Sequence, residues 1–576
     1  MTTVADLLID SLADLGVKTV WGVVGDALNP VTDAIRRTDR IEWIGVRHEE
    51  AGAFAASAQA QLTGTLGVCM GTVGPGGIHL LNGLYDAKKS HASVLAICGQ
   101  VPSPEIGTDM FQEVNNDAVY ADVAVYSRTI TNAEHVPYVI ELAVNAALNQ
   151  RGVSVLSIPG DIGELDVSDD APKPQFVPPQ PRTVPAPDLL EQAVDLIDDA
   201  DKVTLLVGKG ARPGREAVLR LADRLQAPMV VTLKAKEGFE HDNPHQVGQS
   251  GLIGNPAAQQ AFDDCDLLLM LGTDFPYRDW FPEGKKVIQV DDRGAHIGRR
   301  THVDLGLVGD AGDTAAALAD AVAKKGRKAK KHLADARETF EDWEDGQQKL
   351  AKAGYDTKRV GLLRKQVDNR GGDIRPELVA ATVDRLAADD AIYTSDTGMS
   401  TVWLSRFVHL RADQRLIGSS NLGSMANAMP QALGAQALDR RRQIIAFCGD
   451  GGLTMLLGDL MTAAPYDLPI KLIVFNNRRL GMVKLEMEQV GMPEYGTHLD
   501  NPDLAVVAQS MGFHGVRVED PKDVEKAVAE VLAHDGPALL DAVTNPDEIS
   551  LPPKPTVEQG WGFAIAKVKE TLVSNP

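Results

Sequence analysis

The sequence is poor in cysteine, in aromatic residues and in long apolar runs. Only four cysteines occur among 576 residues, and none stands in a CxxC pair. This scarcity indicates buried thiols in a reducing cytosol rather than a disulfide framework. No apolar run approaches the roughly 18 residues that a membrane-spanning helix needs. The N-terminus lacks the basic and apolar segments of a secretion signal, so we expect a cytoplasmic protein.

Positive charge is also scarce relative to negative charge. The chain has 57 Lys and Arg against 80 Asp and Glu, which gives a formal net charge of −23 at pH 7. Such a charge opposes binding to a polyphosphate backbone, so nucleic acid is not expected as a partner. Small anionic ligands at local sites remain compatible with it. The hydrophobic fraction of 44% is typical of a globular protein, and the length predicts several domains.

Apolar β-type runs alternate with helical stretches in three successive parts of the chain. Val203–Val207, Ile444–Cys448 and Lys471–Phe475 are examples of these runs. The alternation predicts an α/β protein with three doubly wound parallel-sheet domains. Prolines interrupt it after the first part, and a stretch rich in Ala, Lys and Glu follows the second. The predicted limits are 1–168, 188–330 and 373–545 for the domains, 169–187 for a proline-rich linker, 331–372 for a helical connector and 546–576 for a tail.

The predicted tail contains an amphipathic segment. Trp561, Ile565, Val568 and Leu572 follow one another at spacings of 4, 3 and 4 residues, which places them on one helical face. A C-terminal helix packed on its own domain fits this pattern. A surface that contacts a membrane or a partner fits it as well.

The most informative local motif is Gly449-Asp450-Gly451, which follows one predicted strand, with Asn476-Asn477 at the end of the next. Carboxylate and amide oxygens at adjacent strand ends suit Mg²⁺, which binds about six oxygens and accepts phosphates as ligands. Ligand sites of doubly wound folds lie at these carboxyl ends. Taken alone, the two short motifs fit a turn aspartate and a loop asparagine pair better than a metal site.

Other motifs give this pair a context. Arg47-His48-Glu49-Glu50 opens a helix of small residues, where a glutamate is ordinarily a partner of the helix dipole. Thr72–Gly76 and Gly423-Ser424-Met425 follow in that order. Together the motifs resemble the thiamine-diphosphate-dependent 2-keto acid enzymes, in the branch of acetolactate synthases and pyruvate oxidases. The likeness spans nearly the whole chain and implies pyrimidine-binding, central and diphosphate-binding domains.

The resemblance implies a role for Glu49 in proton transfer. In the family the matching glutamate hydrogen-bonds N1′ of the aminopyrimidine, so that the 4′-amino group becomes a base beside the thiazolium C2–H. Gly423 would offer its carbonyl to that amino group, and Met425 would bend the cofactor. The same likeness places Mg²⁺ on Asp450, Asn477 and the backbone carbonyl of Arg479.

The remaining expected contacts rest on the same resemblance. Thiamine diphosphate would also contact Gly25, Thr72, Thr397, Gly398, Met399, Gly451, Gly452, Leu480, Gly481 and Met482. The substrate would contact Phe111 and Gln112. In the family the glutamate and the metal-binding aspartate meet across two chains, which implies a homodimer or a homotetramer.

The central domain carries a weaker nucleotide signal. Gly208-Lys209-Gly210-Ala211 follows a strand, but with Gly214 it reads GxGxxxG instead of GxGxxG, which fits an ordinary turn as well. The resemblance implies FAD here, with Asp291 suited to a ribose hydroxyl and Arg278 to a phosphate. The expected FAD residues are Gly208, Gly210, Ala211, Thr232, Lys234, Leu252, Gly272, Thr273, Asp274, Phe275, Arg278, Asp291, Asp292, Asp310 and Ala311.

Two stretches favour oxidation over carboligation. Residues 272–282 are similar to quinone-linked members of the branch, whereas acetolactate synthases usually read Arg-Phe-Asp-Asp-Arg there. The sequence also reads Gly449-Asp450-Gly451-Gly452 where acetolactate synthases commonly read Gly-Asp-Ala-Ser. Met482 departs from the pattern, because some quinone-linked relatives have an aromatic residue at that site. The first domain also has no tandem His-His after Gln100, which disfavours simple decarboxylation.

The expected reaction is therefore the oxidative decarboxylation of pyruvate to acetate and CO₂. Electrons would pass through FAD to a membrane quinone, with peripheral contact of the tail at the inner face of the cell membrane. An acetolactate synthase-type carboligase and a phosphate-dependent pyruvate oxidase remain alternatives.

Overall fold

The computed structural model describes residues 2–168, 170–177, 183–353, 373–411 and 413–548. The amphipathic segment from Trp561 to Leu572 lies outside these residues. Within them, no helix is both long and apolar enough to cross a bilayer.

The N-terminal part forms a six-stranded parallel sheet in the order β3-β2-β4-β5-β7-β6, and β1 pairs antiparallel with β8. Most of its strands are fully buried, as expected for a parallel sheet covered by helices. The strands are β1 (Thr2–Thr3), β2 (Thr19–Gly22), β3 (Glu42–Gly45), β4 (Gly67–Gly71), β5 (Val94–Gln100), β6 (Ala124–Thr129), β7 (Val153–Pro159) and β8 (Asp166–Val167). The helices are α1 (Val4–Asp14), α2 (Asn29–Arg37), α3 (Glu49–Thr63), α4 (Pro75–His79), α5 (Leu81–Ser90), α6 (Asn116–Val119) and α7 (Val136–Gln150).

The central part forms a five-stranded parallel sheet in the order β10-β9-β11-β12-β13. The strand order reverses between β9 and β11, which opens a crevice at their carboxyl ends. The strands are β9 (Val203–Val207), β10 (Met229–Val231), β11 (Leu267–Leu271), β12 (Lys286–Asp291) and β13 (Leu305–Val308). The helices are α8 (Pro187–Asp199), α9 (Arg215–Leu225), α10 (Lys236–Phe239), α11 (Pro256–Asp264), α12 (Ala311–Ala321) and α13 (Arg327–Leu350).

The C-terminal part forms a second six-stranded parallel sheet, in the order β15-β14-β16-β17-β19-β18. The predicted α/β class with three parallel-sheet domains is therefore confirmed. The strands are β14 (Ile392–Ser395), β15 (Arg415–Gly418), β16 (Ile444–Gly449), β17 (Lys471–Asn476), β18 (His514–Val518) and β19 (Ala538–Val543). The helices are α14 (Pro376–Leu386), α15 (Met399–Phe407), α16 (Ala428–Leu438), α17 (Asp450–Met455), α18 (Leu460–Ala463), α19 (Gly481–Gln489), α20 (Leu504–Ser510) and α21 (Val524–Ala533).

Helices α3 and α16 join the N-terminal and C-terminal domains. Both helices are rich in alanine and contain one glycine each, and residues of both belong to one buried apolar cluster. A Cβ atom added at Gly434 would lie 2.3 Å from the backbone oxygen of Ala55, so only glycine permits this approach. The small residues of α3 thus serve contact between domains, and they fix the helix that begins with Glu49.

Candidate active site

Glu49 is the first residue of α3 and is buried, with 6% of its surface exposed. The side chain of His48 caps this helix by accepting the Glu50 N–H at 3.3 Å. His79 Nδ1 lies 2.9 Å from Glu49 Oε2, and the His48 and His79 rings stack with their centroids 4.4 Å apart. The carboxylate therefore occupies a helix N-terminus, where the dipole favours negative charge, and has one histidine partner.

Small residues leave room around the Glu49 carboxylate. A Cβ atom at Gly76 would lie 3.1 Å from Glu49 Oε1, and one at Gly25 would lie 2.3 Å from Thr72 Oγ1. Thr72 Oγ1 is buried and has no hydrogen-bond partner within the described part of the chain. Gly25 and Thr72, both predicted from the resemblance, thus lie side by side. A buried hydroxyl without a partner fits a polar ligand that is absent from the free chain.

The two predicted substrate residues differ in their surroundings. Gln112 has a positive φ of 66°, and its backbone oxygen would lie 2.8 Å from a Cβ atom added at Gly74. Gln112 therefore borders the turn that precedes α4. Phe111, by contrast, is 79% exposed. A single chain does not enclose this ring.

Asp450 lies where β16 ends and α17 begins, beside the end of β17. Its side chain is 2% exposed, and Asn501 Nδ2 donates to Oδ2 at 2.7 Å. The same Asn501 amide donates to Asn476 Oδ1 at 3.1 Å. Burial raises the pKa of Asp450 to about 6, since the charged form is poorly solvated there. A bound cation would favour the carboxylate form, so the group fits a Mg²⁺ ligand.

Asn477 begins the turn that completes this edge of the sheet. The Arg479 N–H donates to Asn477 Oδ1 at 3.0 Å, and Arg478 has a positive φ of 55°. A Cβ atom at Gly481 would lie 2.8 Å from Asn477 Nδ2 and 3.0 Å from Met399 Cγ. The turn after β17 therefore packs directly on the first residue of α15.

The loop after β15 approaches the same place. A Cβ atom at Gly451 would lie 2.9 Å from Leu480 Cδ2 and 3.4 Å from Met425 Cε. The Thr397 N–H donates to the Ser424 carbonyl at 3.4 Å. The structure thus brings most of the predicted diphosphate-site residues to one edge of the sheet. These residues are Thr397, Gly398, Met399, Gly423, Met425, Asp450, Gly451, Asn477, Arg479, Leu480 and Gly481, and Met482 packs on the neighbouring apolar cluster.

Two buried carboxyl groups near this edge were not predicted. Asp396, at the end of β14, accepts the Ala428 N–H at 2.9 Å through Oδ1, while Oδ2 has no described hydrogen-bond partner. Burial raises its pKa to about 7. A Cβ atom at Gly452 would lie 2.3 Å from that free oxygen, which explains why glycine stands there. An aspartate ending a strand before Thr397-Gly398 was the available sequence signal.

Asp459 is the second of these carboxyl groups, and it joins the C-terminal domain to the N-terminal domain of the same chain. Its Oδ1 accepts the Arg47 N–H at 2.7 Å and the Thr462 hydroxyl at 3.2 Å. Arg47 precedes His48 and Glu49, so the C-terminal domain holds the turn that presents Glu49. Burial raises the pKa of Asp459 to about 6. No sequence signal identifies this contact, because 412 positions separate the two residues.

The residues predicted to bind FAD line the carboxyl edge of the central sheet. They are Gly208, Gly210 and Ala211 after β9, Thr232 and Lys234 after β10, Gly272–Phe275 after β11, Asp291 and Asp292 at β12, and Asp310 and Ala311 after β13. A Cβ atom at Gly208 would lie 2.2 Å from the Gly272 carbonyl, so the backbones meet closely at the crevice. Leu252 follows Gly251, which packs near Tyr277, and Arg278 Nη2 donates to the Arg299 carbonyl at 3.2 Å.

Some of these side chains already have protein partners. Asp291 Oδ1 accepts the Arg293 N–H at 2.9 Å, and Asp292 pairs with Arg151 at 2.6 Å. Asp310 caps α12 by accepting the Asp313 N–H at 2.9 Å. Asp292 and Asp310 therefore have structural roles within the chain.

Comparison with known proteins places this geometry in a family. Residues 2–119 match the thiamine pyrophosphate enzyme N-terminal TPP binding domain, residues 190–318 the central domain, and residues 396–542 the C-terminal TPP binding domain. Asp450 and Asn477 lie within the last match, and Glu49 lies within the first.

Full-length relatives agree with these matches. The chain is 36% identical over 568 residues to a putative thiamine pyrophosphate-containing protein of Bacillus subtilis, covering 98% of this chain and 96% of that protein. It is 32% identical to a pyruvate oxidase of Lactiplantibacillus plantarum (94% and 88% covered) and 32% identical to an acetolactate synthase large subunit of Parasynechococcus marenigrum (93% and 86% covered). The chain therefore belongs to the thiamine pyrophosphate-dependent enzymes, in the branch that contains pyruvate oxidases and acetolactate synthases.

Proposed function

We propose that this enzyme oxidatively decarboxylates pyruvate to acetate and CO₂, and that its electrons pass through FAD to a membrane quinone. The observation that carries the proposal is the paired architecture of the site. A buried carboxylate begins α3, while a second carboxylate and an amide occupy adjacent strand ends in a different domain. The first arrangement suits proton transfer, and the second suits a Mg²⁺-bound diphosphate.

Each residue of this chain has a defined task in that reaction. Thiamine diphosphate, when bound, supplies the electron sink for loss of CO₂. Glu49 would hold a proton at N1′ of the aminopyrimidine, and burial keeps that proton from exchanging freely with water. Asp450, Asn477 and the Arg479 carbonyl would hold Mg²⁺ and so fix the diphosphate. Leu480 and Met425 would exclude water from the reacting face.

The flavin part of the proposal rests on the central crevice. FAD, when bound, supplies a two-electron acceptor. The crevice between β9 and β11 lies at the point where the strand order reverses, which is where doubly wound folds bind nucleotides. Gly208, Gly210 and Gly272 pack there backbone against backbone without space for side chains. A glycine-rich turn after a strand is also where a phosphate commonly binds backbone N–H groups. Similarity to a pyruvate oxidase supports an oxidative outcome, whereas similarity to an acetolactate synthase supports the carboligase alternative.

A homodimer, alone or within a homotetramer, would complete the active site. The Glu49 carboxylate bonds to His79 within the described part of the chain, and the predicted substrate residue Phe111 is largely exposed. In the dimer, Glu49 of one subunit would face the diphosphate edge of the other subunit.

Mixing two inactive variants tests this arrangement. A heterodimer of Glu49→Gln and Asp450→Asn subunits would contain one site with both native residues if the site spans two chains. Coexpression should then restore a fraction of the native rate. If each site lies within one chain, both sites of the heterodimer carry a substitution and no activity returns, which would refute the shared site.

An anaerobic experiment tests the reaction itself. Purified protein, thiamine diphosphate and Mg²⁺ are mixed with pyruvate, and flavin absorbance is followed while acetate, acetolactate and acetyl phosphate are assayed. Bleaching with acetate, reversed by an added quinone, is the expected result. Oxidised flavin with accumulating acetolactate would identify a carboligase. A requirement for phosphate, with acetyl phosphate as product, would identify a phosphate-dependent oxidase.

Membrane contact through the tail is a separate part of the proposal. The amphipathic pattern of Trp561–Leu572 supports it, because such a face can enter a lipid interface. Cosedimentation with anionic liposomes, with and without pyruvate, should capture the protein in at least one of the two states. Absence of liposome binding in both states would refute the proposed membrane contact.

A further inference from the structure

Two lysines at the carboxyl edge of the central sheet have no anionic partner. Lys209 follows β9, and Lys234 follows the neighbouring strand β10. Neither ammonium group makes a hydrogen bond or an ion pair with any residue in the described ranges. Both side chains are partly buried, and burial lowers the pKa of each to about 8. An unpaired cation in such a place is costly unless a ligand supplies negative charge.

Two arginines near Lys209 share one carboxylate, so that carboxylate is not available to the lysine. Arg212 and Arg415 both pair with the carboxylate of Glu237, which is 2% exposed. Both arginines also act on Lys209 as repelling charges. The Glu237 carboxylate thus pairs with two guanidinium groups and does not pair with Lys209. A chain with a net charge of −23 nevertheless concentrates cations at this edge.

Two acidic groups, Asp86 and Asp274, attract Lys234, but neither forms an ion pair with it within the described residues. Asp274 Oδ1 accepts from Arg299 at 2.6 Å. Asp86 is fully buried, and burial raises its pKa, which disfavours its charged form. Its Oδ2 accepts from Ser57 and Gln431, while its Oδ1 has no described hydrogen-bond partner. Lys234 therefore has no directly bonded counter-ion, and an anion placed beside it would gain a direct partner.

The order of the strands indicates which part of a cofactor Lys234 would meet. The glycine crevice between β9 and β11 would hold the diphosphate, and the acidic Asp291 at the end of β12 suits the adenosine ribose. Lys209 stands in the turn that borders this crevice. Lys234 stands after β10, on the far side from Asp291. An extended dinucleotide that passes over the crevice would place its isoalloxazine ring near Lys234.

We propose that Lys234 stabilises negative charge on the reduced isoalloxazine ring, while Lys209 binds the diphosphate. The proposal rests on the proposed binding of FAD. Transfer of two electrons and one proton from the decarboxylated keto acid leaves the reduced ring with one negative charge, and the electrons then leave to the quinone. A fixed cation beside the ring favours this anion over the neutral oxidised ring, and so raises the reduction potential.

The test uses the flavin-loaded protein and does not depend on turnover. The variants are Lys234→Met, Lys209→Met and Lys234→Arg, with Lys202→Met as matched control. Lys202 precedes β9 at the opposite edge of the same sheet, where its Nζ donates to the Asp264 carbonyl at 3.2 Å. The flavin midpoint potential is measured by dye-linked titration. Sulfite affinity provides a second readout, because sulfite also leaves negative charge on the ring.

Lys234→Met should shift the balance of reduced over oxidised flavin at least tenfold, which equals about 30 mV for a two-electron couple. Its sulfite affinity should fall by a similar factor, while Lys234→Arg keeps both close to native. Lys209→Met should weaken ADP and oxidised FAD binding about tenfold and leave the potential unchanged. Lys202→Met should change neither quantity.

Two results would overturn the proposal. An unchanged potential and sulfite affinity in Lys234→Met would show that its charge does not act on the ring. Loss of ADP binding in that variant would assign Lys234 to the diphosphate instead. Failure of the proposed function is distinguishable from both, because the native protein would then hold no flavin or would hold one that pyruvate does not reduce.

Discussion

The N-terminal and C-terminal sheets have the same strand order but carry different chemistry. Counted from β2 and from β14, both sheets run 2-1-3-4-6-5. In the N-terminal sheet, the loops after the first, second and third strands carry Gly25, Glu49 and Thr72. The buried carboxylate of Glu49 thus has small neighbours and one histidine partner.

The corresponding loops of the C-terminal sheet carry other groups. Thr397, Gly423 and Asp450 follow its first, second and third strands, and Asn477 follows the fourth. The topological positions match, yet Glu49, for which we propose proton transfer, follows the second strand in one domain, and Asp450, for which we propose Mg²⁺ binding, follows the third in the other. The shared fold thus supplies an edge of loops, and the residues on those loops determine the chemistry.

Removing the N-terminal carboxylate should separate chemistry from cofactor binding. Glu49→Gln keeps the size of the side chain but cannot share the proton, so we expect the rate of CO₂ release to fall by about 100-fold or more. Binding of Mg²⁺ and thiamine diphosphate, followed by calorimetry, should change little. Glu50→Gln is the control, because Glu50 bonds to Asn82 and not to His79. A near-native rate in Glu49→Gln would contradict the assignment.

Removing the C-terminal carboxylate should have the opposite effect. Asp450→Asn loses the charged metal ligand, so the apparent Mg²⁺ affinity should fall by about 100-fold or more, because loss of an outer-shell partner alone costs about 10- to 100-fold. The rate should recover partly at high Mg²⁺. Asp439→Asn, at the end of α16, is the matched control. Equal Mg²⁺ affinity in native and Asp450→Asn protein would place the metal elsewhere.

Acid should weaken Mg²⁺ binding in the C-terminal domain, because Asp450 becomes protonated. The ligand must be deprotonated, and its pKa is raised to about 6, so Mg²⁺ affinity should fall about tenfold for each pH unit below 6. In the metal-free protein the raised pKa stabilises the fold at acid pH. That contribution is lost as the pH rises from the ordinary value near 3.8 to about 6. Thermal unfolding of metal-free native and Asp450→Asn protein at pH 4 and pH 7 would show whether the sign is correct.

The smallest effect should come from the contact of Asp459 with Arg47, which joins the N-terminal and C-terminal domains of one chain. Asp459→Ala leaves the Arg47 N–H without its acceptor and lets the turn before Glu49 relax, so we expect roughly a tenfold lower kcat with little change in KM. Asp459→Asn retains an acceptor oxygen and should stay within about threefold of the native rate. Equal losses in both variants would instead indicate a role for the charge.

The sequence predicted those features that depend on one segment at a time. The run Val203–Val207 coincides with β9, and the spacing of Asp450 and Asn477 correctly indicated adjacent strand ends. Asp396 and Asp459 escaped prediction, because their importance arises from packing against backbone groups of distant segments. The exposure of Phe111 could not be predicted either, since it depends on what surrounds the loop in space. The domain limits and the roles of individual site residues stay predictions.

The close contact of α3 and α16 has a consequence for how the enzyme loses its structure. Gly434 lies against the backbone of Ala55, and the two helices share one apolar cluster. Neither domain can melt without exposing the inner face of the other, so the two domains should unfold as one cooperative unit in calorimetry. The central domain has its own apolar clusters, and polar contacts such as the ion pair of Glu237 with Arg415 tie it to the C-terminal domain. Heat that breaks these polar contacts should therefore release a nucleotide from the central crevice while Glu49 and Asp450 still stand on folded helices.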